Sequence, residues 1–293
     1  MKHHIVYSAD LHGNEVQYQK LVAYALQVAA DSVIIGGDIA PKGLLAEEFI
    51  HGQRAFLQER LPKLLEPLKA ASPQSTVYLL MGNDDCQANS DVLEEGDGDC
   101  YRAIHGKRLK LTDDFDMVGY SCVPITPFGI KDWEKFDCSN VPEELRFAYE
   151  ARKRINYQSS GYKSTPQGWV PFHFMPEMEG NDSIQKDLAK PLFQEKPEKT
   201  IYVMHCPPNN THLDIIGSGE HVGSLAERLF IEERQPYLTL HGHIHETVDI
   251  SGTFKDRIGG TVCFSPGNHN VGRRLACLSF DLYDVESAQR IIL

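Results

Sequence analysis

The chain has 293 residues, 41% of them apolar and 24% charged, with a formal net charge of −12 and seven cysteines. A chain of this length buries roughly three quarters of the surface it would expose unfolded, so it needs no disulfide or structural metal to hold together. The acidic balance opposes binding by counterion release along a nucleic-acid backbone, the apolar runs are too short to span a bilayer, and scattered cysteines without a Cys-x-x-Cys pair fit a reducing compartment.

The first strand is predicted at Ile5 to Ser8, which leaves no room for an export signal ahead of it and makes the cytoplasm the expected location. Asn14 is placed to cap a helix that buries Leu21, Val22, Ala25, Leu26 and Ala29. Val33 to Ile35 is the second strand. A helical stretch from about Ala46 to Leu68 follows, which Pro62 and Pro67 should break or kink. Val77 to Met81 is the third strand, and Leu109 to Leu111 with Met117 to Cys122 read as an antiparallel pair. From about Gly129 to Pro197 the sequence turns charged, polar and aromatic, with no clear strand and one helix near Glu143 to Asn156; it reads as an insertion, either a lid over the substrate or a surface elaboration. Strands resume at Ile201 to Met204, Tyr237 to Leu240, Val262 to Phe264 and Leu278 to Leu282, with a helix from Ser224 to Arg234. This alternation is that of an α/β protein with parallel strands, and a single domain over residues 1–293 with an insertion at about 129–197 is expected.

Polar residues stand where the strands end. Asp10 and His12 follow the first strand, Asp38 the second and Asn83 the third; His205 follows Met204, and His243 and His245 follow Leu240. The carboxyl edge of an α/β sheet is where sites are built, so separate segments can deliver these groups to one place. Imidazoles, carboxylates and one amide oxygen suit manganese, iron, zinc or magnesium, and no cysteine belongs to the set. Gly36-Gly37, Gly82 and Gly242 would let the backbone approach an ion.

Asp10-Leu11-His12, Gly37-Asp38, Gly82-Asn83-Asp84-Asp85, His205 and Gly242-His243-Ile244-His245 resemble, in order, the signature blocks of the calcineurin-like metallophosphoesterase superfamily. Ser265-Pro266-Gly267-Asn268 resembles the turn that often follows the last block. The resemblance implies a four-layer αββα sandwich of two packed sheets between helices. It also implies two divalent ions, with manganese the first choice: Asp10, His12 and His245 would take one, Asn83, His205 and His243 the other, and Asp38 would bridge them. A hydroxide between the ions would attack phosphorus in line.

In the third block the family usually has Gly-Asn-His, and that histidine is thought to protonate the leaving oxygen. Asp84 occupies its position here and is the candidate catalytic residue. A carboxylic acid beside two cations should be ionised and donate poorly, so acidic leaving groups should suffer least; an orienting role for Asp84 is the other reading. Small family members that resemble this chain in lacking the histidine are described as phosphodiesterases, which favours a small phosphodiester or nucleotide-like substrate. A phosphomonoesterase or protein phosphatase, a nuclease, and a metal-containing binding protein are the alternatives. Pro41, where the family often has an aspartate, should matter little for metal binding. Asn14 and His212 are candidate substrate-binding residues, with capping and solvation as their plainer roles. His221, Arg273 and Arg274 are weaker candidates of the same kind, and His241 and Cys206 read as structural.

Overall fold

In the computed structural model, which describes residues 2–43, 47–269 and 272–293, the short apolar runs become strands whose alternate side chains enter two different cores. β1 (His4–Ser8), β2 (Ser32–Gly36), β3 (Thr76–Leu80) and β4 (Arg102–Ala103) run parallel. β5 (Arg108–Lys110) and β6 (Asp116–Tyr120) are the expected antiparallel pair, in a second sheet. β7 (Val123–Pro124) and β8 (Glu134–Lys135) form a short parallel pair, and β9 (Ser160–Thr165) and β10 (Gly168–His173) a hairpin. β11 (Thr200–Met204), β12 (Leu238–Leu240), β13 (Lys255–Ile258) and β14 (Thr261–Phe264) complete the second sheet, while β15 (Ala276–Asp281) and β16 (Asp284–Ile292) return to the first. The two six-stranded sheets have the orders β16-β15-β1-β2-β3-β4 and β13-β14-β12-β11-β6-β5.

Side chains alternate across a pleated strand, so one strand can serve two layers. Ile5, Tyr7 and Ile34 of the first sheet meet Ile201, Val203 and Leu240 of the second in a core between the sheets. The intervening Val6, Val33 and Ile35 face outward into a cluster with Leu21 and Val22 of the helix Glu15–Gln27 and Leu61 and Leu65 of the helix Leu61–Ala71. On the second sheet Tyr202 packs edge-on against Phe230 of the helix Leu225–Arg234, with ring centroids 5.2 Å apart. The four layers are therefore helices, sheet, sheet and helices, as the resemblance implied.

Local chemistry sets the helix ends. Asn14 caps the first helix through its contact with the Gln17 N–H, and Ser224 caps the helix Leu225–Arg234 by accepting from the Glu227 N–H at 3.0 Å. The stretch predicted from Ala46 begins at Glu47, Ala46 itself lying outside the described residues, and continues to Ala71. It is not broken at Pro62. A π-helical turn over Phe56–Arg60, in which the Leu61 N–H bonds to the Phe56 carbonyl, precedes the proline, which sits in the first turn of the next helical segment where its missing N–H is not needed.

The segment 129–197 differs from expectation in containing the β9–β10 hairpin, whose strands are too polar and exposed to show a clear alternation. It is fastened to the body at several points. The Trp169 ring stacks on Phe49 with centroids 6.2 Å apart, the Trp133 indole N–H donates to the Asp85 carbonyl at 2.8 Å, and Asp137 accepts from the Leu225 N–H at 2.8 Å. β13 and β16 were also not predicted; β16 is an edge strand with mostly partly exposed side chains.

A fully buried ion pair shapes the start of this segment and the chain that leads into it. The Lys131 ammonium lies 2.7 Å from a Glu134 carboxylate oxygen, and both side chains are almost wholly shielded from water. Lys131 also donates to the Thr126 carbonyl at 2.9 Å, and Glu134 accepts from the Thr126 N–H at 3.1 Å and from its hydroxyl. Removing one member of such a pair strands the other charge, so Lys131→Met should lower stability to urea by about 3–5 kcal/mol. Adding Glu134→Gln, which removes the stranded charge and keeps an acceptor for Thr126, should recover at least about half of that loss. A single-variant loss below about 1 kcal/mol would show that the pair does not hold this segment.

Candidate metal centre

The site is built where hydrogen bonding continues beyond the strand ends. Past β1 and β2 the Asp10 N–H donates to the Gly37 carbonyl at 3.0 Å and the His12 N–H to the Asp38 carbonyl at 2.8 Å. Past β11 and β12 the His205 N–H donates to the Tyr120 carbonyl at 3.0 Å and the Gly242 N–H to the His205 carbonyl at 2.9 Å. The sheets are tied together here, since the His243 N–H donates to Asp10 Oδ1 at 3.0 Å and the Tyr7 hydroxyl to the His241 carbonyl at 2.8 Å.

Asp10, His12, Asp38 and His243 all have positive φ, at 59°, 45°, 53° and 67°. Each such conformation costs a non-glycine residue about 1–3 kcal/mol and persists only where surrounding contacts enforce it. The glycines remove steric obstacles. A Cβ on Gly242 would come within 2.8 Å of Asp10 Oδ2, and one on Gly82 within 2.6 Å of His205 Nε2 and against the Asp38 carboxylate.

Two groups of donors result. Asp10, His12, Asp38 and His245 each present a ligand atom within 4.8 Å of the others, and the Nε2 atoms of His12 and His245 face each other at 3.2 Å. Beside them Asn83 Oδ1 lies 3.1 Å from His205 Nε2 and 2.6 Å from His243 Nδ1, and Asp38 Oδ2 lies 3.5 Å from His205 Nε2. Asp38 thus belongs to both groups. His205 is oriented by its Nδ1, 2.9 Å from the Gly36 carbonyl, which leaves Nε2 facing the cluster. The Asn83 amide nitrogen donates to Asp84 Oδ1 at 3.2 Å, turning the amide oxygen toward the histidines. The donor chemistry and the facing nitrogens fit divalent cations.

Without cations the charges perturb one another. Burial would raise Asp38, but His205 outweighs it and holds the carboxyl well below its usual range. His205 responds in reverse: burial opposes its charge, yet Asp38 pushes it up to about 9. Burial drives His243 down to about 3 and His12 to about 4. Burial and the Asp38 charge push Asp84 up to about 7; a cation placed beside it acts in the opposite direction.

A cavity of about 370 Å³ opens at the centre, and Asp38, Asn83, Asp84, His243 and His245 are among the residues that line it. Asn14 and His212 are not among its lining residues. Asn14 caps its helix and donates to the Gly272 carbonyl at 2.9 Å, and His212 pairs with Asp256 at 3.0 Å. His221 is likewise paired, with Asp214 at 2.7 Å, and Arg273 and Arg274 are exposed away from the lining. His241 is buried, with Nδ1 2.7 Å from the Cys206 carbonyl, a structural place.

Sequence reasoning missed Lys42, four residues beyond Asp38, and the segment Pro124–Phe128, all of which line the cavity. It also passed over Asp85, whose carboxylate accepts from the N–H groups of Ile39, Ala40 and Gly82 at 3.0, 2.8 and 2.8 Å and so clamps the Asp38 loop to the Asn83 loop. Asn268, in the turn already singled out, donates to the Ala9 carbonyl at 3.0 Å and secures the Asp10 backbone.

With two packed sheets and an acidic, histidine-rich centre at their common edge, the molecule has the architecture of a metal-dependent phosphoric ester hydrolase. The chain belongs to the calcineurin-like phosphoesterase family, whose sequence model matches residues 3–247. No curated protein matches it in sequence. Among solved structures, a Thermus thermophilus protein is similar with a TM-score of 0.55 at 14% identity, covering 99% of this chain and 99% of its own. A dimetal phosphatase from Danio rerio is similar with a TM-score of 0.51 at 12% identity, covering 99% of this chain and 98% of its own. Another crystal structure reaches 0.62 at 12% identity, covering 100% and 99%.

Asp84 and Asp85 are adjacent but differently placed, and substitution should separate them. Asp85→Ala leaves three buried N–H groups without an acceptor and should cost about 3 kcal/mol or more of stability, whereas Asp84→Ala should cost less than about 1 kcal/mol. Urea denaturation of the two variants checks this, and equal losses would contradict the clamp.

Proposed function

We propose that the protein is a dinuclear phosphodiesterase acting on a small phosphodiester or nucleotide-like compound. The observation that carries this reading is the convergence of two donor groups on the shared carboxylate of Asp38. Asp10, His12 and His245 would hold one divalent ion, Asn83, His205 and His243 the other, and Asp38 both, with manganese the first choice and iron, zinc or magnesium as substitutes. When bound, such a pair supplies Lewis acidity that lowers the pKa of water and takes up charge on the phosphoryl group.

The chain's own residues do the rest. Asp38 is kept in place by the Asp84 N–H, which donates to its Oδ1 at 2.8 Å. Asp84 orients Asn83 and faces the cavity from the position of the family's proton donor. Hydrolysis forms a P–O bond to water and breaks the ester P–O bond, and an ionised Asp84 gives the departing oxygen no proton. Esters of acidic alcohols should therefore react fastest. Diesters are favoured because they carry one negative charge where a monoester carries up to two, and among the described residues the carboxylates of Asp84 and Glu246 line the cavity against the single ammonium of Lys42. All seven cysteines are free, which supports a cytoplasmic setting, and no helix among the described residues is long and apolar enough to cross a membrane.

Protein stripped with chelator and reloaded with manganese should hydrolyse bis-p-nitrophenyl phosphate at least about tenfold faster than p-nitrophenyl phosphate, and Asp38→Ala should abolish both activities. A monoester rate far above the diester rate would overturn the diester assignment. Bound metal with no hydrolysis of either ester would favour a binding protein instead.

A further inference from the structure

The cavity lining combines charged and apolar side chains, and phosphate chemistry alone does not require the apolar ones. Besides its acidic and histidine groups the lining includes an apolar wall in which Ile125 and Phe128 come from the segment after β7, Tyr157 from the insertion, Ile216 and Val222 from the loop beyond His205, and Ile244 from between His243 and His245. The wall is continuous with the metal centre, because Ile244 is flanked in sequence by two of its histidines. Among the described residues that line the cavity Lys42 is the one lysine or arginine, and it lies near enough for its charge to act on His12, Asp84 and His245.

Phe128 is the informative member. The residue is 54% exposed and lines the cavity, and exposure is unfavourable for a large apolar side chain. Yet its backbone is not loose: the Phe128 N–H donates to the Thr126 hydroxyl oxygen at 3.1 Å, and Thr126 is held by the buried Lys131–Glu134 pair. An aromatic ring presented to solvent on an anchored segment beside a reactive centre is the arrangement of a preformed binding surface. A volume of about 370 Å³ falls within the range of small-ligand pockets, and the flat faces of Phe128 and Tyr157 suit a planar ring.

We infer that the ester carries a planar, weakly polar ring system, a nucleobase or an aryl group, which seats against Phe128 while Lys42 holds the charge of the phosphoryl group. This rests on the phosphoesterase reading of the same cavity and deepens it by naming the ring as the recognised group and Phe128 as its seat. An aryl ester also has the acidic leaving group that the Asp84 argument favours.

Phosphonates, whose C–P bond resists hydrolysis, separate ring recognition from turnover. On manganese-loaded protein, isothermal titration should give phenylphosphonate a Kd at least about tenfold below that of methylphosphonate, since the two differ by the ring alone. Phe128→Ala should collapse that ratio to within about twofold, whereas Phe147→Ala, an exposed aromatic outside the cavity, should retain it. Lys42→Ala should weaken both ligands alike. The phosphonate analogue of adenosine 5′-monophosphate distinguishes the two ring classes: binding tighter than phenylphosphonate assigns a nucleobase, and weaker binding an aryl group. Equal affinity for phenyl- and methylphosphonate in a protein that still hydrolyses esters overturns the inference and leaves the phosphoesterase reading standing. Absence of any phosphonate binding together with absence of ester hydrolysis overturns both.

Discussion

The backbone ladder that runs on beyond the ends of β1 and β2 is the constraint on which the rest of this molecule depends. Parallel pairing normally ends with the strands, but here the N–H groups of Asp10, His12 and Gly13 continue to bond with the carbonyls of Gly37, Asp38 and Ile39. Two loops are thereby held at sheet spacing while their residues adopt left-handed conformations that free chains avoid. The loops cannot relax separately. Asp85 fixes the second of them to the Asn83 loop through three N–H groups, and Asn268 fixes the first through the Ala9 carbonyl, so local strain is spread over contacts that belong to the core.

That rigidity answers an electrostatic problem. Buried carboxylates repel one another and pay for desolvation, and buried imidazoles resist protonation for the same reason. The protein offsets part of this by interleaving the two kinds of group, so that Asp38 and His205 shift each other in opposite directions. What remains is a cluster of lone pairs aimed inward. The glycines at 82 and 242 allow the backbone to come so close that a methyl group in either place would meet a carboxylate. The surrounding fold holds these like groups close together and so pre-organises them for ions of charge two.

The legible part of the sequence follows from this division. Strands such as Ile201 to Met204 could be read because both faces are buried and the run is apolar throughout, and the donors could be read because each stands immediately after such a strand. β9, β10 and β16 could not, since they lie at edges or on the surface where polar side chains erase the alternation. Lys42 and Phe128 were invisible for a different reason. Their importance lies in facing one cavity, and proximity between residues 42 and 128 is set by how the two sheets stack, which no local pattern records. Asn14 and His212 show the converse: their residue types suited an anion, but the fold had already engaged them as a cap and as a partner for Asp256.

The centre and the wall are supported by different means, and the difference has a consequence. The donors are fixed by sheet hydrogen bonds and by strained loop conformations that tolerate little change. The segment Pro124–Phe128 is fixed instead by the pairing of Pro124 with β8, by Ile125 packed on Phe136 and Phe174, and by the Lys131–Glu134 pair gripping Thr126, which leaves Pro127 and Phe128 exposed. A residue such as Phe128 can therefore be exchanged without disturbing either the ladder or the ion pair. The ring seat proposed at Phe128 is thus mechanically separable from the metal centre, since Phe128 can vary while the geometry of the centre is held by the two sheets.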